Sequence, residues 1–192
     1  MTNYEKNIYI LGQYYPGMDF NIEQARKNLK KEIGLIEELS EDGEKILKIE
    51  KNGHYLYLAG KRCAKKPPKE WAAEQGELCD NYTYIFFGIG NIGYLRELIH
   101  HVKIRLNIII YEPSVQIFLK VLEWMDLENA MQNHLIIFWV EGIGLMTLDR
   151  MGSILEKVMS LENLKNIQLF VLPNYDNIFA ESCEKLIKKF ND

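Results

Sequence analysis

One hexapeptide and one acid hold most of the chemistry this chain could do. Gly88-Ile-Gly-Asn-Ile-Gly93 has the form G-x-G-x-x-G, and Glu112 stands nineteen residues after Gly93. Between a strand and a helix each glycine has its own task. Gly88 permits the sharp turn out of the strand. Gly90 lets a ligand approach the backbone, and Gly93 lets the helix pack closely on the strand. The free N–H groups and positive dipole of the helix start suit an anion. An acid after the next strand accepts hydrogen bonds from ribose hydroxyls. Gly88, Gly90, Asn91, Gly93 and Glu112 are therefore the candidate cofactor-binding residues, for a nucleotide or S-adenosylmethionine. The same residues also read as a tight strand-to-helix turn kept for packing, with Glu112 as a strand-end charge near a helix N-terminus. Both readings stand on the sequence.

The groups an enzyme would need beside such a loop are sparse. Methyltransferases that use S-adenosylmethionine usually have an acid two residues before the first glycine, and here that position is Phe86. Leu172-Pro-Asn-Tyr175 only rearranges the Asn-Pro-Pro-Tyr type of motif. No convincing Ser/Tyr-x-x-x-Lys or His-acid set appears downstream of the loop, and there is no Gly-x-Ser-x-Gly elbow and no P-loop lysine. The histidines, His54, His100, His101 and His134, lack metal-ligand spacing. Cys63 lies among cations that could lower a thiol pKa, without a base partner. No catalytic residue and no metal ligand is assigned.

The elements that must hold the loop follow from patterning. Tyr84–Phe87 is a short apolar strand entering it, and 92–101 is the helix leaving it. The β-branched run at 106–111 suits a strand buried on both faces. Pro113-Ser114 opens a helix to about Met125. A strand at 135–140, a helix at 145–161, a strand at 167–172 and a helix at 177–190 complete an alternation that means βαβ units and a parallel sheet. The fold class expected is α/β: a Rossmann-like parallel sheet with helices on both faces, preceded by a helix and β-hairpin subdomain. The expected division is 1–80 for that elaboration and 81–192 for the core, within what could be one compact domain.

In the first part, Asn21-Ile-Glu-Gln24 has capping-box form. Ala25, Leu29, Ile33, Ile36 and Leu39 follow at helical spacing, so a helix is expected that is capped by Asn21, runs through Leu39 and is stopped by Asp42-Gly43. Two apolar and aromatic runs flank Asn52-Gly53, the pair that best tolerates positive φ in a type I′ turn, and predict a hairpin. Pro67-Pro68 opens a further helix. Tyr14-Tyr15-Pro-Gly17 reads as a turn.

Bulk properties narrow the function classes. A net charge of −4 argues against sequence-independent nucleic-acid binding. The cationic run Lys61-Arg-Cys-Ala-Lys-Lys-Pro-Pro-Lys69 reads as a solvated loop or an anion-contacting one. Three widely spaced cysteines form neither a disulfide framework nor a metal knuckle and suit a reducing compartment. No apolar run reaches the ~20 residues that cross a bilayer. The expectation is a cytoplasmic protein with no nucleic-acid or membrane partner.

Four segments in one order, "YLAGKRCAKKPPKEWA", "IFFGIGNIGYLRELI", "IIIYEPSVQIFLKVLEWMDL" and "FVLPNYDNIF", resemble the N-terminal domain of the bacterial motility accessory factor (DUF115-type) flagellin glycosyltransferases. The resemblance implies a Rossmann-like, non-catalytic domain that supports protein or sugar-nucleotide recognition. Its implied partners are flagellin or a catalytic glycosyltransferase domain, and the chain would end about where that catalytic domain begins. The loop here is one residue longer before Tyr94 than the Gly-x-Gly-Leu-Gly-Tyr form of the family. Two other functions are compatible with the residues: a small S-adenosylmethionine- or nucleotide-dependent enzyme, and an oligomerisation module.

Overall fold

The computed structural model describes residues 1–30, 33–151, 153 and 166–191. Two sheets organise them. Strands β1 (Gly34–Leu39), β2 (Lys45–Lys51) and β3 (His54–Tyr57) form an antiparallel sheet. Strands β4 (Tyr82–Phe87), β5 (Asn107–Glu112), β6 (Leu135–Val140) and β7 (Asn166–Val171) form a parallel sheet in the order β6-β5-β4-β7. The fold is thus α/β and Rossmann-like. Two strands step outward from β4 on one side, and the chain then crosses back to place β7 on the other.

The parallel sheet forms where the sequence is continuously apolar. Tyr84, Ile85, Phe86 and Phe87 on β4 and Ile108, Ile110 and Tyr111 on β5 are buried, as they must be in strands covered on both faces. Helices α4 (Ile92–His101) and α5 (Val115–Leu122) follow β4 and β5. Each starts on a polar cap, with Asn91 Oδ1 accepting from Gly93 N (3.1 Å) and Ser114 Oγ from Ile117 N (3.4 Å). A separate helix α6 (Leu127–Asn133) precedes β6 and was not expected. The expected helix over 145–161 is helical at 148–151, and its later part lies outside the described residues. The C-terminal helix is broken at Phe179 into one turn, α7 (Tyr175–Ile178), and α8 (Ala180–Asn191).

The first part departs from the sequence reading. The expected helix over 21–39 is two elements. Helix α2 (Met18–Lys27) starts four residues before its expected start at Ile22, with Gly17 (φ 85°) and not Asn21 as its N-cap. Residues 34–39 are strand β1, so Ile33, Ile36 and Leu39 do not extend the helical face. The reason is tertiary. The expected hairpin forms, with its turn at Asn52 (φ 54°) and Gly53 (φ 75°). Its β2 then offers a free edge that β1 fills in full register, with Glu38 bridging Lys48 at 2.5 Å. A period of three to four and a period of two both fit Ile33, Ile36 and Leu39 loosely, and pairing decides between them. Helix α1 (Asn3–Tyr14) was also not expected, although Thr2-Asn-Tyr-Glu5 is a capping box. Helix α3 (Lys66–Glu74) starts at the paired prolines, as read.

Residues 1–80 keep only a small cluster of their own, Ile46, Ala59 and Ala64, and otherwise share the main core. Ile10, Leu11, Met18 and Ile22 from α1 and α2, and Leu47, Ile49 and Leu58 from the hairpin, join the buried cluster of the parallel sheet. A polar stitch reinforces the junction. Asn7 is buried; its Nδ2 donates to Leu122 O and Met125 O (both 2.8 Å) and its Oδ1 accepts from Leu127 N (3.2 Å). It thereby satisfies the end of α5 and the start of α6, groups no helix can satisfy for itself. Tyr15, in the turn between α1 and α2, donates its hydroxyl to Ile136 O on β6.

Candidate functional site

In an open α/β sheet the ligand crevice lies beyond the carboxyl ends of the strands, where the strand order reverses. Here that place is between β4 and β7. Its walls are the glycine loop after β4 and Leu172-Pro-Asn-Tyr175 after β7. The structure brings Gly88, Gly90 and Glu112 together at this place, sets Asn91 and Gly93 at the start of α4 against each other and Pro68, and adds a residue the sequence reading did not assign there. Tyr175, the first residue of α7, is fully buried between the two walls.

The glycines are required by contacts that are visible. Gly88 has φ +102°, and a Cβ there would lie 2.4 Å from Tyr175 Cζ. A Cβ on Gly90 would lie 2.3 Å from Leu58 Cδ1 and 2.8 Å from the Tyr175 hydroxyl. A Cβ on Gly93 would lie 3.0 Å from Pro68 Cγ, where α3 meets α4. Thus the space over Gly88 and Gly90 that a ligand could use is filled by the chain itself, by the Tyr175 ring and the Leu58 side chain. Asn91 caps α4 and spends its side-chain oxygen on Gly93 N.

The Tyr175 hydroxyl completes a closed hydrogen-bond set. It accepts from Gly90 N (2.8 Å) and Ile89 N (3.2 Å) and donates to Glu112 Oε2 (2.6 Å). Glu112 Oε2 also accepts from Ile89 N (3.0 Å), and Oε1 accepts from Ser114 N (2.9 Å). Three donors point at the carboxyl group: the Tyr175 hydroxyl, Ile89 N and Ser114 N. The set therefore suits the ionised acid. Burial works the other way. Glu112 is fully buried, and no cation pairs with it among the described residues. Loss of hydration raises its pKa to about 7, against the downward pull of Tyr175 and the two backbone N–H groups. Burial and the neighbouring carboxylate push the Tyr175 phenol well above its ordinary range, so it stays a donor.

The surroundings of this set are apolar and aromatic. Tyr175 lies edge-on to Phe87 (centroids 5.8 Å) and against Phe179 (5.5 Å). Tyr111 stacks on Phe87 and gives its hydroxyl to Glu141, and burial raises its pKa. Phe86, at the position where methyltransferases have an acid, is buried against Trp71 and Phe170. The antiparallel sheet closes the outside. Asn174 Nδ2 donates to Tyr57 O (2.6 Å), and Lys51 Nζ donates to Asn177 O (2.8 Å) and Ile178 O (3.3 Å).

The other candidate features lie elsewhere. A cavity of about 450 Å³ opens beyond the ends of β5 and β6, lined by Ser114, Gln116, Glu141 and Phe179 but by neither Glu112 nor the glycines. The cationic run is partly neutralised. Asp42 accepts from Ala64 N and Lys65 N, contacts that together with the Ser40 hydroxyl hold its carboxyl below the usual range, and Lys65 pairs with Glu44. Cys63 is half-buried and Cys79 exposed, both as free thiols. His134 is buried on β6's approach, where its Nδ1 accepts from Leu106 N (3.2 Å).

Tyr175 had one sequence signal: an aromatic placed at the end of the strand whose loop must face the glycine loop. That pairing of loops needs the strand order, which residue types do not encode. No helix among the described residues is long and apolar enough to cross a membrane. Compared with known proteins, the chain matches no family model, no curated protein and no solved structure.

Proposed function

We propose that this chain is a non-catalytic recognition domain of Rossmann-like fold, of the kind that precedes the catalytic domain in motility accessory factor glycosyltransferases. The observation that supports this most is the filled crevice. The Tyr175 hydroxyl occupies the point where a cofactor hydroxyl would meet Glu112, and the Tyr175 ring occupies the space left by Gly88 and Gly90. In this reading the glycine loop is a packing device, and recognition falls to outer surfaces, with flagellin or a glycosyltransferase domain as partner. The order of the four sequence segments motivates that choice of partner.

The test is a titration and a capture experiment. Isothermal titration of the chain with S-adenosylmethionine, NAD and CMP should give no binding heat. Saturable binding of any of them to the unaltered chain would restore the reading as a nucleotide-dependent enzyme. Capture of flagellin or a glycosyltransferase domain by the immobilised chain supports the partner assignment, and failure with both removes it.

A further inference from the structure

This inference rests on the reading above, that the crevice is closed in the resting chain, and concerns how it would open. We propose that Tyr175 is a latched stopper in a ribonucleoside slot, and that the β2–β3 hairpin is the latch.

The stopper is a small unit between two joints. Helix α7 is a single turn, preceded by Asn174 in the left-handed region (φ 63°, ψ 0°) and followed by Phe179 in a non-helical conformation (φ −119°, ψ 47°). Asparagine tolerates positive φ, and its surroundings fix the conformation it keeps. Those surroundings are the hairpin. Asn174 reaches Tyr57 O, and the exposed Lys51 reaches the carbonyls of Asn177 and Ile178. Leu58, just after β3, presses on Gly90. All the outer bonds of the turn that are described here run to one neighbouring element, on the solvent side.

The slot behind the stopper has a definite chemistry. Withdrawing the phenol leaves the Ile89 and Gly90 N–H donors and the Glu112 Oε2 acceptor facing one point. The group that satisfies them must accept and donate at once, as the Tyr175 hydroxyl does. A sugar hydroxyl meets that demand. A phosphate does not, because it brings negative charge to a buried carboxyl group that no cation pairs with among the described residues. Ribonucleosides are therefore the ligand class, with the ribose diol at Glu112 and the base in the space that the Tyr175 ring vacates beside Phe87 and Phe179. A closed stopper lowers the apparent affinity by the fraction of molecules that are open.

The experiment uses the full chain, with adenosine, cytidine and 2′-deoxyadenosine as probes in isothermal titration and ligand-observed NMR. Three proteins are compared: the unaltered chain, the latch variant Lys51→Met/Asn174→Gly, and Tyr175→Ala. Glycine suits the left-handed φ at position 174, so the latch variant should fold. Circular dichroism and NMR dispersion check this. The unaltered chain should be silent at about 1 mM probe. The latch variant should bind adenosine or cytidine at least roughly tenfold better, and Tyr175→Ala better again. Adenosine should exceed 2′-deoxyadenosine by roughly tenfold or more, because a site built around a hydroxyl rejects its absence. Silence in a folded latch variant overturns the slot and leaves the closed-crevice reading standing. Equal binding of adenosine and 2′-deoxyadenosine overturns the ribose assignment. Binding by the unaltered chain as tight as by the variants overturns the latch together with the closed-crevice reading. If Tyr175→Ala does not fold, the latch variant alone decides.

Discussion

Replacing Tyr175 with phenylalanine removes one oxygen and leaves the ring, so it isolates the hydrogen-bond set from the packing. Three bonds go. The donation to Glu112 at 2.6 Å is to a charged group, and such bonds are worth about 1.5–3 kcal/mol. Ile89 N keeps Glu112 Oε2 as its acceptor. Gly90 N keeps no partner described here, and an orphaned buried donor costs about 1–3 kcal/mol. The expected loss is about 3 kcal/mol at pH 8, read as a lower midpoint in urea with an unchanged slope. The pH dependence makes the test sharper. The folded pKa of Glu112 is raised, so the stability linked to its titration is fully present below the unfolded value of 4.5 and is lost as pH rises through about 7. That window is worth about 3 kcal/mol at 1.36 kcal/mol per unit. Above it, the phenol donates to a buried anion, and its loss hurts most. Near pH 5 the acid is neutral and the same bond is an ordinary one. The cost of Tyr175→Phe should therefore shrink by about 1 kcal/mol between pH 8 and pH 5, since the orphaned Gly90 N–H costs the same at both. A variant within about 0.5 kcal/mol of the unaltered chain at pH 8, or one whose cost grows on acidification, would refute the reasoning.

Three further outcomes are expected. Gly90→Ala should lose about 1–3 kcal/mol in thermal unfolding, and less than that when it is added to a Leu58→Ala variant, which is itself destabilised because Leu58 is fully buried, since the Leu58 tip is the nearest atom its Cβ meets. Gly88→Ala should be worse and not be rescued that way, because positive φ and the Tyr175 ring both oppose it; equal stabilities for the two would contradict the packing described. Asn7→Ala should cost about 2–4 kcal/mol in chemical denaturation, as it strands two carbonyls and one N–H; a cost below about 1 kcal/mol would show the stitch is idle. His134 should titrate below 6.5 by NMR, with burial as the main cause and Arg105 as the lesser one. Its folded pKa is depressed, so its contribution is present above 6.5 and is lost as pH falls, opposite in sign to that of Glu112; a His134 pKa at or above 6.5 would remove this contribution.

The parallel sheet was legible because its strands are buried on both faces and so are written as unbroken apolar runs; 135–140 coincides with β6 residue for residue. The helix leaving the glycine loop was equally clear, at 92–101. Residues 33–39 misled because their apolar spacing is sparse, and only the free edge of β2 decides that they pair rather than coil. Glu112 was legible as the acid of the site, but not as a buried one. That property depends on Tyr175, which is 63 residues away in sequence. Asn7 could not be read at all, since a lone asparagine on a helix has no pattern and its partners lie more than a hundred residues on.

That last distance has a consequence for synthesis. Helix α1 is made more than a hundred residues before the groups that hold it, Leu122, Met125 and Leu127, and the neighbouring Tyr15 waits for Ile136. Domains form as units during translation, and long-range contacts cannot reward the chain until both ends exist. Helices α1 and α2 must therefore wait for these contacts until the chain has been made as far as Ile136. Over that interval Ile10, Leu11, Met18 and Ile22 have no sheet to cover them. The nascent chain thus offers chaperones and proteases, for that interval, a segment that the finished molecule holds by both apolar burial and buried hydrogen bonds.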